Sequence, residues 1–216
     1  MKNLIVIFLL LTGLSSFGQS GWKTVKLDTA ISFQLPKGFQ KTKSDSASSF
    51  SAATGFGTIL IFKADDNQRV TPDIERDKHL ADFYDDYIKR VESSTADGKI
   101  THERDTLIGG LKVKDFTLEL DSGGGVQVRK FRILHANSAT YTFEFLFEEM
   151  HKEYAAEECN KFFNSIKVNE SVEHSDQFNA TASENSGINP YLIGAVVLLI
   201  IGLIIFFIVR KKRVVS

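Results

Sequence analysis

Alternation of apolar and polar residues along the chain predicts strands in most of the stretch between residues 20 and 168. In the last predicted strand, aromatic residues at every second position alternate with polar ones, which places one face of that strand in a core. Gly, Pro, Asp and Asn residues separate the strands from one another. The predicted strands are 22–27, 30–35, 58–62, 100–107, 111–120, 126–134 and 140–147.

Two stretches carry apolar residues at helical spacing. The first, 71–94, has Thr71 as its predicted N-cap and Pro72 at the first helical position. The second, 152–165, carries Cys159 and two phenylalanines on one apolar stripe. Strands, a helix, a block of antiparallel strands and a closing helix predict an α+β domain, in which the helices pack on the faces of an antiparallel sheet.

An uncharged apolar run of 19 residues, 191–209, lies near the C-terminus. At a rise of about 1.5 Å per residue the run is about 28 Å long, which matches the roughly 30 Å hydrocarbon core of a bilayer. The four basic residues 210–213 follow it, and the positive-inside rule favours a cytoplasmic C-terminus. The pattern predicts one transmembrane helix within 190–209 and a basic cytoplasmic tail, 210–216.

The N-terminus has the layout of a secretory signal peptide. Lys2 precedes an apolar stretch, 4–14, that is too short to span a bilayer, and small and polar residues follow it. An uncleaved second anchor is the alternative interpretation. We expect a signal peptide at 1–19, an extracytoplasmic domain at 20–168, on the periplasmic side in a Gram-negative cell, and a flexible Ser- and Asn-rich tether at 169–189.

Composition excludes some functions for the region that is predicted to lie outside the cytoplasm. Residues 20–189 hold 21 basic and all 27 acidic residues, a net charge of −6, and nucleic-acid binding requires the opposite sign. Cys159 is the single cysteine, so no disulfide within the chain can form. The domain must therefore depend on its hydrophobic core, to which 18 phenylalanines can contribute.

Acidic residues with one imidazole cluster in the region 148–158. Glu148, Glu149 and His151 are weak candidates for a divalent metal site, because carboxylates and imidazoles bind such ions. The alternative is a solvated loop before a helix, whose positive N-terminal dipole favours acidic residues. We predict no cofactor.

Nothing in the sequence indicates catalysis. Cys159 could act as a nucleophile beside His151, but it lies on the apolar stripe of its predicted helix, where a free cysteine behaves as a small hydrophobic residue. The chain contains neither a Gly-x-Ser-x-Gly nor a His-Glu-x-x-His motif. We therefore predict no enzymatic activity.

The order of three motifs resembles that of the Mog1/PsbP-like α/β/α sandwich family, over about residues 21–168. These are a strand that runs into Leu35-Pro36-Lys37-Gly38-Phe39, the hairpin glycines Gly109-Gly110, and the closing Phe162-Phe163-Asn164-Ser165-Ile166. Family members include luminal accessory subunits of the photosynthetic water-oxidising complex and a nuclear-transport GTPase cofactor. The resemblance implies the fold and a binding or accessory role, but no family ligand residue can be assigned here.

Two hypotheses follow for the function. The first is a single-pass membrane protein that presents a non-enzymatic binding or accessory domain outside the cytoplasm, inserted in the lipid bilayer through 191–209 and partnering another envelope protein. The second is a metal- or small-ligand-sensing domain that uses the acidic region 148–158.

Overall fold

Ten strands and two α-helices make up the part of the chain that the computed structural model describes, residues 21–67, 71–95, 97–121 and 123–179. The strands are β1 (Trp22–Lys26), β2 (Ile31–Pro36), β3 (Gln40–Lys43), β4 (Ala47–Ala53), β5 (Thr58–Asp65), β6 (Gly98–Ile108), β7 (Leu111–Asp121), β8 (Val126–Ala136), β9 (Ala139–Glu148) and β10 (Lys167–Val168). The helices are α1 (Asp77–Ser93) and α2 (Lys152–Asn164).

Seven of the strands form one sheet in the order β3-β4-β5-β9-β8-β7-β6, and every neighbouring pair is antiparallel. A second sheet has the order β1-β2-β10 and is also antiparallel. The predicted α+β class, an antiparallel sheet with two helices, is therefore confirmed. The separate three-stranded sheet was not predicted.

Each face of the seven-stranded sheet has its own hydrophobic core. On one face, Phe143 and Phe145 of β9 pack with Phe162 of α2 and with Phe33 of the second sheet. On the other face, α1 covers β7 and β8. The buried residues of this second core are Ile74, Leu80, Phe83, Tyr84, Ile88, Val91, Phe116, Leu118, Phe131 and Ile133.

Helix α1 begins later than the sequence predicts. Its first residue is Asp77, whereas Thr71 was the expected N-cap. The hydroxyl of Thr71 instead accepts a hydrogen bond from the backbone N–H of Asn67, at 3.1 Å. Ile74 is completely buried in the second core with its chain in a non-helical conformation, so tertiary packing overrides the local capping preference.

The Ser-rich stretch 44–51, which is not among the predicted strands, lies mostly in β4. Phe50 and Ala52 of this strand are buried, while Ser51 between them and Ser49 before them are half-buried. The alternation was therefore present, but serine has a low strand propensity and prefers turns, so the stretch resembled a loop.

The first part of the predicted tether 169–189 differs from the prediction. Residues 169–179, called the C-terminal segment below, are packed against the domain: Val172 lies in the first core and Gln177 is completely buried. The sequence pattern misplaced this boundary because the segment is held mainly by polar contacts and has no apolar periodicity. The rest of the predicted tether, 180–189, lies outside the described residues.

The predicted signal peptide 1–19, transmembrane helix 190–209 and cytoplasmic tail 210–216 also lie outside the described residues. Neither described helix combines the length and the apolar character that crossing a bilayer requires.

A buried ion pair lies at the edge of the second core. Arg129 of β8 donates from Nε to Oε1 of Glu144 on β9, and the side chains are only 5% and 0% exposed. The other carboxylate oxygen, Oε2, has no hydrogen-bond partner among the described residues. Because a buried charge is costly without its partner, the two residues should be strongly coupled in their effect on stability.

We therefore expect Arg129→Met to lower the free energy of unfolding by about 3–5 kcal/mol, because it leaves the Glu144 carboxylate buried and unpaired. The double variant Arg129→Met/Glu144→Leu removes both charges and should recover most of that loss. Urea unfolding of the single and double variants measures both values. A double variant as unstable as the single one would show that the pair is not coupled in this way.

Candidate functional site

The acidic residues that the sequence singles out lie at one end of the sheet, where β9 leads into α2. Glu148 is the last residue of β9, and Glu149 and His151 belong to the short 3-10 helix Glu149–His151 that follows. Glu149 is paired with Lys152 at 3.0 Å. Among the residues that the structure describes, no group of three His, Cys, Asp or Glu side chains could hold a metal ion. The geometry therefore gives the metal-site hypothesis no support.

Next to these residues the domain exposes three large apolar side chains together with one imidazole. We call this cluster the aromatic patch: Phe56, Met150, His151 and Tyr154. The exposed fractions of Phe56, Met150 and Tyr154 are 42%, 82% and 63%. The rings of Phe56 and Tyr154 stack with their centroids 5.1 Å apart, and the His151 ring lies 6.0 Å from that of Phe56. Contiguous exposed apolar surface of this kind marks interaction sites on soluble domains.

The patch depends on the tight turn between β4 and β5. Glu158 of α2 accepts hydrogen bonds from the backbone N–H groups of Gly55 and Phe56, at 2.9 and 3.1 Å. A Cβ atom on Gly57 would lie 2.6 Å from the ring of Phe145, so only glycine fits there. Helix and turn are thereby fixed to one another, and Phe56 is held against Tyr154.

Acidic residues flank the patch along the chain. Glu148, Glu149, Glu153 and Glu157 are all exposed on the end of β9, the 3-10 turn and the first half of α2. Lys152 is the one cation in this stretch, and it is already paired with Glu149. The site is therefore an apolar centre with an acidic rim, an arrangement that suits a protein partner of the opposite charge.

The other residues considered in the sequence have structural partners. Cys159 is 2% exposed within the first core, and burial raises the pKa of its thiol. It therefore lacks the exposed, electropositive setting of a reactive cysteine. All four aspartates of α1 pair with a lysine: Asp77 with Lys112, Asp82 with Lys78, Asp85 with Lys114 and Asp86 with Lys89.

No family model matches the chain. No curated protein matches it either. Among solved structures, it is similar to cyanobacterial PsbP from Synechocystis sp. PCC 6803, with 11% identity and a TM-score of 0.53, covering 72% of this chain and 96% of that one. The domain has the Mog1/PsbP-like fold.

Two further structures with this fold align less well. The Ran-binding protein Mog1p of Saccharomyces cerevisiae has 10% identity and a TM-score of 0.41, covering 74% of this chain and 100% of that one. LpqN of Mycobacterium tuberculosis, described as involved in cell envelope biogenesis, has 11% identity and a TM-score of 0.41, covering 70% and 92%. At such identities the Mog1/PsbP-like fold carries over, and residue roles do not.

The sequence analysis located one of the four patch residues. It singled out His151 and the glutamates, but it missed Phe56, whose turn is 102 residues away from Glu158 in the chain. Met150, in the preceding 3-10 turn, also went unnoticed, as did Tyr154, although Tyr154 lies off the apolar stripe that Ala155 and Phe162 define on α2. That displacement was the one available indication that large apolar side chains point to solvent here.

Glu158→Ala should loosen the turn without unfolding the domain, because it removes the acceptor of two backbone N–H groups at the surface. We expect faster amide hydrogen exchange at Gly55 and Phe56, with little exchange difference in β7–β9. Glu157→Ala, an exposed neighbour, is the matched control and should change the free energy of unfolding by no more than about 0.5 kcal/mol. Unchanged exchange at both glycine and phenylalanine amides would contradict the role assigned to Glu158.

Proposed function

We propose that this chain is a single-pass membrane protein whose extracytoplasmic domain is a non-enzymatic binding module that docks another envelope protein through the aromatic patch. The observation that carries the docking proposal is the exposed stack of Phe56 on Tyr154, together with the exposed Met150 in the 3-10 turn that precedes α2. Aromatic and Met side chains are enriched in the cores of protein interfaces, where their burial supplies much of the binding free energy.

The chemistry of the patch specifies the partner. Its centre fits an apolar surface, and its rim of Glu148, Glu149, Glu153 and Glu157 fits lysine and arginine side chains. We therefore propose a protein partner with an apolar contact surface surrounded by basic residues. Attraction between exposed charges is screened by salt, so binding should weaken as ionic strength rises.

The membrane part of the proposal is supported by the sequence: the apolar run 191–209, the basic residues 210–213 and the signal-like N-terminus. A tethered domain needs less affinity for a partner in the same membrane, because confinement raises the effective concentration of both proteins.

Membrane anchoring can be tested by fractionation. We expect the full chain to stay in the membrane pellet after alkaline carbonate washing, and a chain that ends at residue 189 to be released, because it lacks the apolar run 191–209. Replacing the four basic residues 210–213 by serine leaves the apolar run intact, and this control should remain in the pellet. Release of the full chain by carbonate would overturn the anchor.

Docking can be tested by site-specific photo-crosslinking in cells that express the full chain natively. A photoreactive amino acid at position 153, on the rim, should trap one protein. The double variant Phe56→Ser/Met150→Ser should reduce that product by tenfold or more, about 1.4 kcal/mol of binding, because it removes the apolar centre.

Leu107→Ser is the matched control, because Leu107 is 64% exposed at the end of β6, outside the patch. It should leave the crosslink unchanged. The trapped protein, once purified, should bind the full chain in detergent more weakly at high salt. A crosslink that survives the double variant, or one formed only with a second copy of the chain, would overturn the proposed partner.

A further inference from the structure

Gln177 is the residue of the C-terminal segment that makes the most hydrogen bonds to the main sheet. Gln177 is completely buried; its Oε1 accepts the backbone N–H of Lys112 at 2.7 Å. Its Nε2 donates to the carbonyl oxygens of Lys112 and His135, at 2.8 and 3.0 Å. Because these backbone partners have fixed roles, the orientation of the amide is fixed as well, and Oε1 can only be an acceptor.

His135 is completely buried between two acceptors. Its Nδ1 lies 2.9 Å from the carbonyl oxygen of Gln177, and its Nε2 lies 3.0 Å from Oδ2 of Asp66. The same Oδ2 also accepts from Nδ2 of Asn179 at 2.9 Å. The amide of Asn179 is fixed in turn, because its Oδ1 accepts the backbone N–H of Ile74. With Asp66 ionised, its Oδ2 accepts from both groups, and both ring nitrogens of His135 then have to donate.

His174, on the C-terminal segment itself, has the same arrangement. Its Nδ1 lies 3.0 Å from Oε1 of Gln177, and its Nε2 lies 2.8 Å from Oδ1 of Asp77. The hydrogen bond from Lys112, together with that of His174, holds the pKa of Asp77 below its usual value, so this group is a carboxylate. Both nitrogens of His174 therefore have to donate as well.

We propose that His135 and His174 are two proton-binding sites that fasten the C-terminal segment to the domain, and that loss of these protons loosens it. A singly protonated imidazole has one donor and one acceptor nitrogen, so each ring would then present a lone pair to a carbonyl, amide or carboxylate oxygen. For His135 this unfavourable contact would be completely buried, where an unmade hydrogen bond is most costly.

Aromatic, acidic and basic groups pack around the two rings. Tyr84 donates to the carbonyl of Lys112 and accepts the backbone N–H of His135, and burial raises the pKa of its phenol, so it stays neutral. The ring of Phe83 meets His135 edge-on at 5.5 Å, and Phe178 meets His174 at 5.2 Å. The charged groups of this region are the acids Asp66, Asp77, Glu173 and Asp176 and the cation Lys112.

Because proton binding is coupled to docking of the C-terminal segment, the direction of the pH effect on docking can be derived. In the docked state the two rings hold two protons, one on His135 of β8 and one on His174 of the segment; release of the segment removes an acceptor from each ring, and the protons are given up as the pH rises. Docking is therefore strongest on the acidic side, and its equilibrium constant should fall by up to about tenfold per pH unit for each proton released. Release of 11 residues would add up to about 36 Å of reach. This last consequence alone depends on the proposed anchor; the proton sites do not.

The protonation states can be measured directly with the full chain in detergent. Nitrogen-15 NMR of the histidine rings at about pH 6, where unperturbed histidine is partly charged, should show hydrogen on both nitrogens of His135 and His174. His102, exposed on β6 and hydrogen-bonded to the neighbouring Thr101, is the internal reference for an ordinary ring. An unprotonated ring nitrogen on either histidine while the segment is docked would overturn the proposal.

The coupling can be measured by hydrogen exchange of Gln177 and Phe178, corrected for the intrinsic pH dependence of exchange. From about pH 6 to about pH 8 the segment should open progressively. His174→Gln keeps an amide donor for Asp77 but binds no proton. The slope of the logarithm of the opening equilibrium constant against pH should therefore fall by about one. His102→Gln should leave it unchanged. Opening that does not depend on pH, or a slope that His174→Gln leaves intact, would overturn the coupling.

Discussion

The central constraint on this domain is that its seven-stranded sheet must bury an apolar layer on each face. Phe143 and Phe145 supply one layer, and the stacked rings of Phe116 and Phe131, 4.6 Å apart, supply the other. One helix covers part of each face, and α2 shares its face with the small sheet β1-β2-β10. Without a disulfide, removal of this apolar surface from water is the main source of stability.

That constraint explains which elements could be predicted. Strands of the main sheet with strict alternation, such as β9, and helices with an apolar face, such as α1 and α2, were found because the core imposes periods of two and 3.6 on the sequence. The Mog1/PsbP-like fold followed from the order of these elements. Where packing deviates from local preference the prediction failed: Ile74 enters the core before α1 begins, and the serines of β4 lie in a strand.

The functional features were harder to predict because they are formed by residues far apart in the sequence. Phe56 meets Glu158 across 102 positions, and Gln177 meets Lys112 across 65. Neither contact leaves a periodic pattern, since a hydrogen bond to a backbone amide constrains one side chain and not a face. The acidic residues near Glu149 could be recognised from composition, but their relation to an exposed aromatic pair could not.

The two features lie at opposite ends of β9. Ala139, at its start, is paired with Asp65, next to Asp66 of the histidine network, while Leu146 near its end is paired with Thr58, next to the turn that carries Phe56. The strand has ten residues, so the ends are about 30 Å apart. If the chain continues from Asn179 towards a bilayer, the attachment lies at the histidine end and the aromatic patch at the far end. On the proposals above, the docking surface would stay clear of the point of attachment, and release of the C-terminal segment would change its reach without changing its structure.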